Sequence, residues 1–207
     1  MAKDDTSYAD RRRAAIEEAA YLVLAEKGYK GASMLEIAKR AGASNETLYK
    51  WYGNKQGLFR ALVEINAARV TEQLDAVLDG DDGGDPVAGL EAVGIALLSV
   101  LTSEKAVALN RAAAGDVHDT GTLGKALAEA GRGSVLPRIA GLFERALDDG
   151  ALEGGSAQDI ADTWLSLLVG DLQVRLVTGQ VERPVPSEIK RQSKRALEAT
   201  KALFAAC

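Results

Sequence analysis

The sequence predicts an all-α protein: a three-helix N-terminal domain followed by a larger helical domain, about nine helices in all. Three observations predict it. Apolar residues recur at helical spacing along the chain, helix-starting and helix-stopping residues punctuate the runs, and no stretch alternates in the manner of a strand.

The first helix is read over Arg11–Lys27, where Ile16, Ala20, Val23 and Leu24 form one stripe. Gly28 follows at the position of a left-handed stop. Ser33 and Glu36 have the spacing of a capping box at the head of a short second helix, MLEIAKRA, which Gly42 ends. Ser44 caps a third helix, ETLYKWY, stopped by Gly53. Asn54 can cap a long fourth helix over 55–78, with Leu58, Leu62, Ile65, Val70 and Leu74 as buried positions. The run DGDDGGD at 79–85 breaks the chain. Its acids suggest a calcium loop, but Leu90 stands where the twelfth-position Glu of such a loop must be, so a solvated linker is expected. Further helices are expected over 86–103, 105–115, 122–149 (bent near Gly131-Arg132-Gly133), 157–179 and 187–205. The expected domains are 1–54, with 1–10 a flexible tail, and 55–207, with 55–78 as connecting helix.

Composition narrows the function. The net charge is -5, yet residues 1–60 hold 11 Lys/Arg against 8 Asp/Glu, and residues 61–207 hold 14 against 22. Such asymmetry suggests a small basic module on an acidic body, although mild asymmetry is common and does not by itself establish contact with nucleic acid. The single cysteine, Cys207, excludes an intrachain disulfide and a zinc cluster. No apolar run nears the roughly 20 residues of a membrane span, and the start MAKDDTSYAD lacks a signal-peptide core, so a cytoplasmic location without membrane attachment is expected. His118 is the only histidine and no nucleophile motif accompanies it; GRGSV at 131–135 lacks the strand and third glycine of a dinucleotide loop. No catalytic residue, cofactor or metal is expected.

Residues 33–53, helix, Gly-containing turn and helix, have the helix-turn-helix arrangement, in which a short second helix enters a DNA major groove. On ETLYKWY, Leu48 and Tyr52 share the inward face, while Tyr49 and Lys50 turn outward, flanked by Thr47 and Trp51. Hydroxyl, indole N–H and ammonium groups can all donate to phosphate oxygens, and Lys55 lies in the first turn of the next helix, another anion-favouring place. Such rings could instead seal a small core, the reading preferred for Tyr52.

The segment GYKGASMLEIAKRAGASNETLYKWYGNKQGLFRALV resembles the DNA-binding domain of the TetR/AcrR family, through IAxxAGxS, TLYxxY and NKxxLF in order, over residues 11–64. The resemblance implies that Thr47, Tyr49, Trp51 and Lys55 contact phosphates and that Asn45, Glu46 and Lys50 face bases or their groove. Glu46 stands where that family often has glycine, and an acid there is repelled by phosphate unless it accepts from a cytosine amino group. Trp51 stands where Tyr or His is common. The remainder resembles the AefR-like C-terminal type, in RAAAGD and around GDLQVRLVTG. It implies a homodimer bound to an inverted-repeat operator on double-stranded DNA, most often as a repressor, released by a small-molecule effector. The alternative is a helical dimer that binds small molecules or protein and has lost DNA binding.

Residues 157–179 are apolar on more than one face, which suits either a central core helix or, with 187–205, a four-helix dimer seam. Asn110, Arg111, His118, Trp164 and Arg175 are the polar candidates for an effector pocket, of unidentified effector. Each has a plainer reading: His118 as a solvated loop residue, Arg175 as a partner of Asp171 or of the seam, and Trp164 as simple core.

Overall fold

A computed structural model describes residues 3–79 and 86–205. Among these the regular structure is helical: α1 (Lys3–Gly31), α2 (Met34–Arg40), α3 (Asn45–Tyr52), α4 (Lys55–Asp79), α5 (Pro86–Leu101), α6 (Glu104–Asp116), α7 (Thr122–Leu127), a π-helical turn (Ala128–Arg132), α8 (Gly133–Asp148), α9 (Ala157–Val169), α10 (Leu172–Val177) and α11 (Pro186–Leu203). The acidic run expected as a linker lies, apart from Asp79, outside the described residues, as does Cys207. No single described helix is long and apolar enough to cross a membrane.

The chain divides into two compact units. One runs to Asn66 and takes in Ala108–Ala128; the other comprises Ala67–Val107 and the chain from Glu129 onward. This differs from the expected boundary at residue 54. The first turns of α4 group with α1–α3 because Leu58, Phe59 and Leu62 are fully buried there.

In the first unit, Ile16, Ala20, Val23 and Leu24 are buried as their spacing predicts. The helix extends back to Lys3, through the segment expected as a tail, and breaks at Gly28 (φ 66, ψ 177) before a last turn to Gly31. Ser33 Oγ accepts from Glu36 N at 3.3 Å, which is one half of the expected box. The carboxylate of Glu36 pairs instead with Lys27 Nζ at 2.6 Å, tying α2 to α1. Arg40 adds a two-pronged bond to Glu26, 2.7 and 2.8 Å. These exposed pairs supply orientation more than energy. The α2–α3 turn is a Schellman closure, with Ala43 N donating to Ala38 O (2.9 Å) and Gly42 N to Lys39 O (3.2 Å). Gly42 has φ 61, which side chains disfavour, so glycine is required at the corner.

Asp116, at the end of α6, is fully buried. Its carboxylate accepts from Thr120 Oγ1 (2.9 and 2.8 Å) and from Leu123 N (3.2 Å), so it anchors the start of α7 from seven residues away. Burial would raise its pKa, but these hydrogen bonds outweigh burial and hold it below the usual carboxylate value.

The second unit packs α5, α8, α9 and α11 around Trp164, Phe143, Leu90 and Leu98, all under 2% exposed. Fully burying a large apolar side chain contributes roughly 1.5–3 kcal/mol. Polar side chains tie the layers. Ser193 Oγ donates to Glu91 O (2.7 Å), Gln192 Nε2 to Leu167 O (3.0 Å), and Gln173 Nε2 to Leu101 O (2.8 Å). Arg132 pairs with Asp162, and Arg138 Nε with Asp75 at 3.1 Å. The single helix expected over 157–179 is in fact broken. Gly170 adopts φ 50, ψ -133, ends α9, and lets α10 leave in a new direction. The expected bend near 131–133 appears as the π-helical turn Ala128–Arg132.

Gly57 permits the tight junction of α3 and α4, for a Cβ there would stand 2.0 Å from the carbonyl oxygen of Tyr52. Gly57→Ala is expected to destabilise the protein by about 1–3 kcal/mol, read as a lower urea midpoint with unchanged slope. An unaltered midpoint would mean that the junction relaxes freely.

Candidate nucleic-acid interface

The short helix α3 is set by its ends. Ser44 Oγ accepts from Thr47 N at 3.0 Å and shares a 2.8 Å hydrogen bond with Thr47 Oγ1. Leu48 is 0% exposed and fastens the inner face. Gly53 closes the helix, its N–H reaching Tyr49 O at 2.9 Å, and Asn54 Oδ1 then accepts from Gly57 N (2.7 Å) to start α4. The sequence therefore dictates a rigid two-turn helix held between two side-chain caps.

The outer face follows from that inner anchor. Glu46, Tyr49 and Lys50 are exposed, Tyr49 to 49%. Thr47 and Asn45 are half-buried; the Asn45 Oδ1 is covered and has no hydrogen-bond partner in the structure. Trp51 lies edge-on to Tyr52, centroids 6.5 Å apart, and the Arg13 guanidinium sits over its ring at 5.5 Å. Tyr52 is half-buried, and its pKa is raised first by burial and then by Glu17, with Arg13 opposing. Of the residues expected on this face, α3 thus gathers six on one short helix. It offers hydroxyls, an amide, an ammonium and one carboxylate to a ligand surface.

Lys55 is placed differently from the expectation. Its ammonium donates to Tyr29 O (2.7 Å) and Ala32 O (3.2 Å) and lies 4.3 Å from the centroid of the Tyr29 ring. It closes the carbonyl end of α1, which leaves one of its three N–H groups for an outside acceptor. The Tyr29 ring also meets Phe59 edge to face at 5.3 Å. The Tyr29 hydroxyl is buried near the Asp116 carboxylate. Burial first, then the nearby charges of Asp116 and Asp119, push its pKa up to about 12. Sequence reading missed both roles, since each depends on groups more than twenty residues apart.

The five residues expected around an effector are divided between the units. Asn110 (half-buried), Arg111 (exposed) and His118 (exposed, in the turn after α6) belong to the first. In the second, Arg175 is exposed and faces Asp171 at 3.9 Å, while Trp164 is core, 0% exposed and edge-on to Phe143 at 6.2 Å. The Trp164 indole N–H is buried without a partner. An unexpected groove of about 350 Å³ lies in the second unit, where Ile95 and Ser99 of α5 face Pro184, Pro186 and Ile189, with Arg183 among its lining residues. The RPVP sequence before α11 was its one visible signal.

Comparisons with known proteins bear on the family and the fold. The family profile described as bacterial regulatory proteins, tetR family, matches residues 16–62, and that of the AefR-like transcriptional repressor C-terminal domain matches 88–206. The HTH-type transcriptional regulator YdeS of Bacillus subtilis is 28% identical over 80% of this chain and 78% of its own length. A TetR transcriptional regulator of Agrobacterium tumefaciens superposes with a TM-score of 0.76 at 31% identity, covering 94% of each chain. The regulator FadR of B. subtilis, solved with stearoyl-CoA, shares the fold at TM-score 0.71 and 19% identity, over 90% of this chain and 96% of its own.

Two outcomes test this geometry. Lys55→Ala is expected to lower stability by about 1–3 kcal/mol, since it strips charged hydrogen bonds from half-buried carbonyls; a thermal melt unaffected by the change would remove the clasp. Tyr29 holds its proton to about pH 12 when folded but only to about 10 when unfolded. Its stabilising contribution is therefore complete below pH 10 and is lost as pH rises through 12. Denaturation midpoints should fall less steeply across that window for Tyr29→Phe than for the unsubstituted protein.

Proposed function

Since the chain belongs to the TetR family of bacterial transcriptional regulators and carries its DNA-binding helix-turn-helix domain, we propose that it works as a homodimeric repressor. On this reading it holds an inverted-repeat operator and releases it when a small-molecule effector binds the larger domain. The observation that carries the DNA-reading assignment is the outer face of α3, where Glu46, Tyr49 and Lys50 stand in solvent on a helix whose opposite side is pinned by buried Leu48. A two-turn helix presented this way suits a groove about 12 Å wide.

Roles follow from chemistry. Tyr49, Trp51 and Thr47 donate to phosphate oxygens, and Lys55 offers its remaining N–H. Asn45 and Lys50 lie toward base edges, and Glu46 accepts from a cytosine amino group. For Thr47 to donate to a phosphate, the Ser44 hydroxyl donates to Thr47 Oγ1, which orients it.

Dimerisation is supported by apolar surface left uncovered on the last helices. Val174 and Leu203 are each 63% exposed, and Leu165, Leu167, Val169 and Leu172 are only part-covered. Two such faces brought together would bury a continuous seam, and a dimer supplies two readers for adjacent half-sites. The effector role is supported by the groove beside α5, lined by Ile95, Ser99, Pro184, Pro186 and Ile189 with Arg183. Release then requires only that the effector bind one conformation better than the other.

Selection of bound fragments from a random duplex pool tests the reading. Recovery of an inverted repeat, lost with Tyr49→Ala, is expected, and no enrichment at low salt would refute it. Asn45→Ala is expected to relax preference at one position of each half-site, at about 1–3 kcal/mol. An unchanged preference profile would take Asn45 off the base-reading face.

A further inference from the structure

We infer that Arg13 of α1 is an additional DNA-backbone contact, a phosphate clamp built jointly with Trp51. The inference rests on α3 being the DNA-reading helix. Arg13 lies three residues before the matched residues 16–62.

The geometry makes the pair. The Arg13 guanidinium lies 5.5 Å from the centroid of the Trp51 ring, at the end of the reading helix. Its charge is also felt at the Tyr52 hydroxyl one residue on, where it opposes Glu17. Two neighbouring positions of α3 thus register the same cation. A guanidinium over an aromatic face uses its π surface for the ring and keeps in-plane N–H groups free to grip a phosphate in two places.

Competing partners do not occupy it. The Arg13 side chain is 60% exposed, and its ion pair with Asp10, itself 63% exposed, is stretched to 3.9 Å. An exposed pair at that distance is worth little and is readily exchanged for a phosphate. Asp10 and Glu17, three residues before and four after, are the acids that flank Arg13 along α1. The start of α1 at Lys3 gives the clamp a rigid base, since Arg13 lies in the third turn of a formed helix.

A phosphate contact and a purely structural stacking role predict different measurements. Affinity for a short mixed-sequence duplex is measured by fluorescence anisotropy across a salt series, for the full chain and for Arg13→Ala, Arg13→Met and Arg13→Lys. A phosphate contact predicts that Arg13→Ala and Arg13→Met each lower the slope of log affinity against log salt by about 0.9 per reading head, while Arg13→Lys keeps it. Thermal melts within error of the unsubstituted protein exclude misfolding as the cause. If Arg13→Ala weakened binding but left the slope unchanged, Arg13 would only hold Trp51 in place and the inference would fall. Should the unsubstituted chain bind no duplex at low salt, the DNA-reading assignment would fall first and this contact with it.

Discussion

One ammonium group organises the N-terminal unit. Lys55, the first residue of α4, reaches across to the carbonyls of Tyr29 and Ala32 and lies against the Tyr29 ring. Those carbonyls terminate α1, and helix ends leave such groups unsatisfied unless a cation or water meets them. In meeting them, Lys55 fixes the end of α1, the strand-like step into α2 through Ser33, and the origin of α4 together. The same Tyr29 ring packs on Phe59, one turn further along α4. Because α3 is held between Ser44 and the Asn54–Gly57 junction, its direction is inherited from the point where α4 begins. The orientation of the reading face is therefore set by contacts that lie behind it.

The second unit uses another device. Its apolar core supplies energy, but buried hydroxyls and amides choose the register. Ser193 on Glu91, Gln192 on Leu167 and Gln173 on Leu101 each place a side-chain donor on a carbonyl of a neighbouring helix. Sliding a helix by one residue would strand those donors in an apolar interior, at a cost comparable to a lost buried hydrogen bond. The break at Gly170 then turns α10 away. Apolar residues that one straight helix would have spread around its circumference are divided between the core (Trp164, Leu168, Leu176) and solvent (Val174).

Much of this was legible in the primary sequence, for reasons that are local. Ser44, Asn54 and Ser33 cap helices with amides three residues on, and Gly42 turns a corner closed by bonds spanning three and five residues. Leu48, Leu58 and Leu62 reveal their inward face by spacing alone. What was not legible depends on distant partners. Nothing in NKQGLF says that its lysine will cap a helix ended two dozen residues earlier. GDVHDTG looks like solvated loop, and the burial of Asp116 follows only once Leu123 and Thr120 have folded back on it. The expected box at Ser33 was half right because Lys27, one helix away, competes successfully for Glu36. A single long helix over 157–179 was expected from uniform apolarity, which carries no information on where a lone glycine will choose to bend.

The π-helical turn at Ala128–Arg132 has a consequence for how such a chain can vary. A π turn holds one residue more than the α-helix it interrupts, and each residue advances the helix by about 100°. The turn also lies where the chain passes from one compact unit to the other. A change of one residue in length can therefore be taken up within Ala128–Arg132 while the buried stripe of α8 (Val135, Ile139, Leu142, Phe143) keeps its own register.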